Sequence, residues 1–216
     1  LATADWHAWE SSTIPPLNAP MSRVDSPSVL NIADLRRLAK RRLPRVAFDY
    51  IDGGADGEVT LRENCRIFDD VLFRPRCAVS IPACDLRTKV LGADLALPFA
   101  LAPVGSSRMF YPRGEVVAAG AAGEAGTAYT LSTLSGCRVD EVGAGTKGPL
   151  WYQLYLVGGR DVATAGLARA KKAGATALFV TIDTAVAGLR ERDFRNGTKE
   201  LLTRNPWTML PYVHQF

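Results

Sequence analysis

Apolar and polar positions follow two different periods along the chain. Between Asn31 and Phe68 the apolar residues recur at helical spacing. Ile32, Leu35 and Leu38 predict one helix face, and Asn31 with Asp34 resembles a capping box in which Asp replaces the usual Glu or Gln. Pro44 predicts the start of a second helix, Arg45 to Asp52, stopped by Gly53-Gly54, and a third helix is expected from Gly57 to Phe68. Leu72-Phe73-Arg74-Pro75 reads as extended, and Val90 to Ala93 as one arm of a small hairpin with Leu95 to Leu97.

From Pro98 onward short apolar runs alternate with amphipathic stretches. Strands are predicted at Phe99 to Val104, Ala128 to Ser132, Leu150 to Leu156 and Ala177 to Asp183. Helices are predicted between them at Gly114 to Gly126, around Val139 to Val142, and at Arg160 to Ala173, the last closed by Gly174. Repeated strand–helix units imply right-handed crossovers and a parallel sheet. After the fourth strand the pattern offers a loop and a helix at Pro206 to Phe216. Four such units are half of an eight-fold barrel and would leave two hydrophobic strand edges, which soluble proteins avoid. Either the sheet is open and doubly wound, or the other half lies elsewhere.

Charge and cysteine content narrow the class. The 26 basic and 22 acidic residues nearly balance, at a net +4, and no basic stripe interleaves with aromatics, so nucleic-acid binding is not indicated. The densest basic run (Lys40, Arg41, Arg42, Arg45) falls at a helix end, where cations favour the negative end of the dipole. Cys65, Cys77, Cys84 and Cys137 lack metal-ligand spacing, so reduced thiols in a cytosolic protein are expected rather than disulfides or a metal site. No stretch approaches the length of a membrane span, and the proline-bearing segment Leu1 to Pro27 reads as an extended arm rather than a signal peptide. Asn196-Gly197-Thr198 matches a glycosylation sequon, here read as chance.

Polar groups gather at the strand ends. The first strand ends in Ala102-Pro103-Val104-Gly105-Ser106 and the second in Leu131-Ser132-Thr133. In the third, Gln153 and Tyr155 share a face by alternation, as do Thr181 and Asp183 in the fourth. Arg190 follows shortly after, placed to hold a carboxylate or phosphate through two parallel hydrogen bonds. Polar groups at the C-terminal ends of buried parallel strands are how an α/β enzyme presents a site for a small anion. Gly143 to Gly148 spells a nominal GxGxxG, but it follows a helix and precedes a strand, the reverse of a dinucleotide fingerprint, and reads as a loop. His7 and His214 follow no strand and read as structural or surface residues.

At this point the residues resemble a family. Phe48-Asp49-Tyr50-Ile51-Asp52-Gly53-Gly54-Ala55, with Thr60-Leu61-Arg62-Glu63-Asn64 after it, looks like the N-terminal signature of the FMN-dependent 2-hydroxy acid oxidoreductases. Leu72 to Arg76, Leu101-Ala102-Pro103, Thr130-Leu131-Ser132, Gln153-Leu154-Tyr155 and Thr181-Ile182-Asp183-Thr184 follow in the family's order. Gly188-Leu189-Arg190-Glu191-Arg192-Asp193 is most similar to the mandelate dehydrogenase branch. The resemblance runs from about Val29 to Phe216.

That resemblance implies a TIM (β/α)8 barrel, an α/β fold, of which this chain carries the N-terminal helices and first four βα units. Residues 1–27 would be the arm and 28–216 the helical cap plus half-barrel. FMN would sit at the C-terminal face, with Pro103, Val104 and Gly105 along the ring and Ser132, Gln153 and Thr181 bonding its polar edge. Tyr50 and Arg190 would hold the substrate carboxylate, Tyr155 would bond the α-oxygen, and Asp183 would orient a catalytic histidine. Val104 stands where the family often has threonine, and Gly105 replaces the alanine common in oxidases, which tilts the reading toward a dehydrogenase.

The family's flavin-contacting lysine, its histidine–glycine–x–arginine motif and its phosphate-binding glycines fall beyond the fourth strand and are expected from a complementary half. That half would be a second chain, a cleaved continuation or further residues. The implied reaction is FMN-dependent oxidation of a lactate-, glycolate- or mandelate-type 2-hydroxy acid to the 2-oxo acid. A homo-oligomer in the cytoplasm, with peripheral membrane contact as a variant, is expected. The competing readings are another FMN- or phosphate-binding barrel, such as a type 2 isopentenyl diphosphate isomerase, and a non-catalytic half-barrel binding module.

Overall fold

A computed structural model describes residues 29–80, 83–182, 186 and 188–197. The chain divides into two compact units, Leu1–Leu43 and Pro44–Phe216. In the first, helix α1 (Ile32–Arg42) starts at the expected box. The Asn31 side chain accepts from the Asp34 N–H at 3.0 Å, and Asp34 accepts from the N–H groups of Asn31 and Leu30 at 3.2 and 2.6 Å. The Leu30 N–H is the main cause holding the Asp34 carboxyl below its ordinary range. Lys40, Arg41 and Arg42 occupy the last turn. The predicted apolar face is not buried as expected: Ile32 and Leu35 are exposed, and Leu38 is half-buried.

The second unit opens with α2 (Arg45–Asp52), whose N-cap is Pro44, and α3 (Val59–Arg66), which tightens into a 3-10 turn over Ile67–Asp70. The hairpin is offset from its predicted position. Its arms are β1 (Thr88–Val90) and β2 (Ala93–Leu95), antiparallel, with Leu91 and Gly92 both at positive φ between them. Two consecutive left-handed residues are the signature of a tight two-residue turn, so the turn occupies what was expected to be strand.

Three parallel strands, β3 (Tyr129–Ser132), β4 (Leu150–Tyr155) and β5 (Ala175–Thr181), lie in chain order with β4 central. Helices α4 (Gly114–Glu124), α5 (Val139–Ala144) and α6 (Gly159–Lys172) precede each in turn. Alternation divides the strands cleanly. Tyr129, Leu131, Leu150, Tyr152 and Leu154 pack with Val116, Ala119, Val142 and Ala170 in the main core, while Ala128 and Trp151 turn to the other face against Leu95. Gly174, at φ +91°, supplies the left-handed residue that ends α6 before β5. The nominal GxGxxG is helix at its first two positions and loop afterwards. A Cβ at Gly143 would collide with the Ala173 carbonyl, so its role is close packing of α5 against the end of α6.

Three further expectations are corrected. The predicted first strand, Phe99 to Val104, is a single parallel bridge from Leu101 to Tyr129, closed by Leu101 N–H to Ala128 at 2.9 Å and Thr130 N–H to Leu101 at 3.1 Å. Pro98 and Pro103 have no N–H to extend that ladder. Strand β5 was expected to be buried, yet Leu178, Phe179 and Val180 are exposed, because its outer edge has no strand neighbour among the described residues. A short helix, α7 (Glu191–Arg195), replaces the expected loop. The predicted helix at Pro206 to Phe216, together with Asp183, His7 and His214, lies outside the described residues.

Glu115, in the first turn of α4, is fully buried and ties two loops together. Its Oε1 accepts from the Ser107 N–H at 2.9 Å and the Gly136 N–H at 2.8 Å. Burial works to raise its pKa, but the Gly136 N–H, the nearby Cys137 thiol and the Ser107 N–H outweigh it and hold the carboxyl below 4.5. The same burial, with Glu115 beside it, pushes the Cys137 thiol up and lifts Tyr129 to about 12. A carboxylate with a depressed folded-state pKa stabilises the fold above its unfolded value and loses that contribution as pH falls through the folded one. Glu115→Gln should therefore destabilise by about 1–3 kcal/mol at pH 7. The gap to the parent should narrow as pH drops below the ordinary carboxylate range, as read by urea unfolding across that range.

Candidate active site

The C-terminal ends of the strands build one wall of a cleft. The register sets Ser132 opposite Gln153 and Tyr155 opposite Thr181. Gln153 is 2% exposed, so both ends of its amide need partners. Its Oε1 accepts from the Ser132 hydroxyl and the Thr133 N–H, each at 3.2 Å, and its Nε2 donates to the Thr181 hydroxyl at 2.7 Å. Thr181 accepts in that bond, and among the described residues neither its own proton nor the second N–H of the Gln153 amide has an acceptor. Thr133 extends the β3–β4 pairing past the last ladder rung: its hydroxyl donates to the Gln153 carbonyl at 2.5 Å and accepts the Tyr155 N–H at 3.0 Å.

The facing wall comes from α2 and the segment leading into α7. The Tyr50 ring stacks on Phe110 with centroids 6.2 Å apart and planes 19° apart. The Arg190 guanidinium lies 5.1 Å from the Tyr50 ring centroid and donates to the Tyr50 carbonyl, while its Nε donates to Asp193 at 2.6 Å. A second arginine fastens α7 to α2 and to the start of α3: Arg192 bonds Asp52 of α2 at 3.2 Å and Glu58, the residue capping α3, at 2.5 Å, and Asn196 bonds Asp49 of α2. The Gly54 N–H, followed by Arg192, draws the Glu58 carboxyl below its usual range.

The third side is Pro103, Val104 and Gly105. Ser106, left-handed at φ +54°, donates its N–H to the Leu134 carbonyl at 2.8 Å and turns the chain away. A Cβ on Gly105 would come within 3.2 Å of the Leu134 Cβ, so a larger residue there would need Leu134 to shift by a few tenths of an ångström.

These walls enclose about 450 Å³. Tyr50, Pro103, Val104, Gly105, Ser132, Gln153, Tyr155, Thr181 and Arg190 all line this one cleft. Of the predicted site residues only Asp183 is missing, because it lies outside the described residues. Ile51, Phe110 and Leu134 line it too and were not predicted. Leu134 sits two places past the end of β3, where a search of the loop after each strand would have found it. Phe110 carries no such positional signal.

A family model described as FMN-dependent dehydrogenase matches residues 39–214. An L-lactate dehydrogenase of Caulobacter vibrioides is 46% identical over 169 residues, covering 78% of this chain and 44% of that protein. A peroxisomal (S)-2-hydroxy-acid oxidase of Oryza sativa subsp. indica is 37% identical over 167 residues, 77% of this chain and 46% of that one. The crystal structure of a soluble mutant of the membrane-associated (S)-mandelate dehydrogenase from Pseudomonas putida superposes with a TM-score of 0.74 at 35% identity, over 78% of this chain and 48% of that one. The chain thus spans about half the length of the curated relatives it matches. Its strands and helices are part of a (β/α)8 barrel, in the order the sequence predicted. With the match running from the second half of α1 past Arg190, this chain belongs to the FMN-dependent dehydrogenase family.

Proposed function

We propose that this chain supplies the flavin edge and one half of the substrate clamp of an enzyme that oxidises a small 2-hydroxy acid to the 2-oxo acid. The observation that carries the reading is the cleft itself, in which a buried amide–hydroxyl relay faces an arginine stacked on a tyrosine. The donor set fits FMN. Among the described residues Gln153 and Thr181 keep N–H and O–H groups unused, free for the acceptor atoms of a flavin's polar edge, and Pro103, Val104 and Gly105 line the side where the ring would lie. When bound there, FMN would accept the two electrons that leave the substrate.

The chain's own residues supply positioning and charge. Tyr50 and Arg190 would bind the carboxylate, and Tyr155, at the end of β4, would bond the α-oxygen and orient the α-carbon. Asp183 would hold the general-base histidine, which comes from the complementary half of the barrel together with the phosphate site. Gly105 favours a dehydrogenase over an oxidase. Relatives that act on lactate and on other 2-hydroxy acids both match, so the substrate class is assigned at that level. Three exposed free thiols suit a reducing cytoplasm, and the membrane-associated relative supports peripheral membrane contact. No helix among the described residues is long and apolar enough to cross a membrane. We also expect a homo-oligomer.

The 216-residue polypeptide alone should bind FMN weakly and show no turnover with lactate or mandelate. Recovery of stoichiometric flavin with turnover from this polypeptide would overturn the split-site reading. In the completed barrel, a panel of 2-hydroxy acids should bleach the flavin anaerobically; failure of every member would remove the proposed activity. Gln153→Leu leaves Ser132 and the Thr133 N–H without their acceptor. It should cost about 1–3 kcal/mol of stability and weaken FMN binding about ten-fold or more, measured by unfolding and by fluorescence titration of FMN.

A further inference from the structure

The cleft reading leaves one buried charge without a role. Asp193 is 8% exposed, gives Oδ2 to the Arg190 Nε at 2.6 Å, and keeps Oδ1 buried with no partner among the described residues. Burying a carboxylate with one oxygen unpaired is costly, so stability alone is a poor reason for it. Such local violations collect where geometry serves function.

What Asp193 does is visible in the guanidinium it holds. Arginine has five N–H groups in a rigid planar fork. One is fixed by Asp193, another by the Tyr50 carbonyl, and the group lies against the Tyr50 ring at the cleft wall. Among the described residues the other three N–H groups have no partner, and they lie in a plane whose orientation two of its edges already define. Asp193 is itself held firmly. Helix α7 has five residues and no side-chain cap, too short to persist alone, but Arg192 anchors it to α2 through Asp52 and to the start of α3 through Glu58. Tyr50 lies on that same helix α2. The chain Asp52 and Glu58 to Arg192, then Asp193, then Arg190, thus fixes the arginine relative to the tyrosine it works with.

We propose that Asp193 is a positioning residue: it holds Arg190 by Nε so that the remaining guanidinium N–H groups meet the substrate carboxylate beside Tyr50. The assignment rests on the reading of Tyr50 and Arg190 as a carboxylate clamp. It predicts that Asp193 acts wholly through Arg190.

The test uses the FMN-loaded protein with its complete barrel, mandelate as substrate and oxalate as an unreactive carboxylate probe. Arg190→Met, Asp193→Ala, Asp193→Asn and the Arg190→Met/Asp193→Ala pair are compared by oxalate Kd, read from the flavin spectrum, and by KM and kcat. Asp193→Ala should raise Kd and KM about ten-fold while kcat changes less than about two-fold. Asp193→Asn, which retains an acceptor for Nε, should recover affinity to within about three-fold of the parent. The double variant should bind oxalate no more weakly than Arg190→Met alone, because neighbours that act as one unit are not additive. If the two effects multiply, or if Asp193→Ala leaves Kd unchanged while Arg190→Met raises it, the positioning role is wrong. If Arg190→Met itself leaves oxalate binding unchanged, the clamp reading fails instead. Should Asp193→Ala not fold, the same cycle is run with Asp193→Asn. A loss of affinity from Asp193→Asn that persists in the Arg190→Met background would overturn the proposal.

Discussion

The parallel register of β3, β4 and β5 is the constraint on which the cleft depends. Ser132 meets Gln153, and Tyr155 meets Thr181, only in the observed pairing. Because side chains alternate, a slip of one residue would carry Gln153 into the helix-facing core and Leu154 into the cleft. The buried Gln153 amide makes that slip expensive. Its acceptor and one donor are matched by groups from β3, the following loop and β5, none of which would reach it in another register. Thr133 reinforces the choice by bonding both the carbonyl of Gln153 and the N–H of Tyr155. The residues that shape the site therefore also specify the sheet that presents it.

The facing wall is assembled by other means. Helices α2 and α7 are short, and they meet through charge and hydrogen bonding: Arg192 with Asp52, and Asn196 with Asp49, while Arg192 also pairs with Glu58 at the start of α3. The acids of these ion pairs are largely buried and the arginine is about a third exposed. Such pairs are screened less than surface ones and define geometry better than they add stability. The contrast has a physical logic. A strand wall held by ladder hydrogen bonds can keep fixed donors against a rigid ring, while a wall of arginines and acids can hold one guanidinium at a set angle to Tyr50.

Much of this was legible in the sequence, and the reasons are specific. The Asn31–Asp34 box, the Gly174 stop and the strand–helix alternation are local signals; helices α1, α4 and α6 and strands β3, β4 and β5 exist within a residue or two of where they were marked, whereas the strand marked at Phe99 to Val104 does not form. Alternation also placed Gln153 and Tyr155 on one face, and the family motifs brought Tyr50 and Arg190 to them, as the cleft lining shows. What failed depends on partners far along the chain. Helix α7 has too few residues to carry a periodic pattern and is held by acids more than a hundred positions earlier. Leu101 looks like the centre of a strand, but the flanking prolines limit it to one bridge. Phe110 reaches the site by stacking on Tyr50, a contact without any local mark.

The two edges of the sheet connect fold to function. At one edge Leu101 makes its single bridge to β3, with Phe99 exposed beside it and its carbonyl accepting from the Thr127 hydroxyl. At the other, Leu178, Phe179 and Val180 lie open along β5, with Ile182 exposed beyond them. A twisted parallel sheet with apolar residues at both margins is the geometry that closure into a barrel relieves. The cleft sits at the C-terminal ends of these strands, between the same two margins. Strands added there would cover the exposed apolar residues and, in the same step, bring their own C-terminal ends round to the open side of the cleft. In the proposed enzyme, closing the barrel and completing the active site would then be one event, because the hydrophobic burial that stabilises the fold would also bring the remaining catalytic and phosphate-binding groups to the cleft.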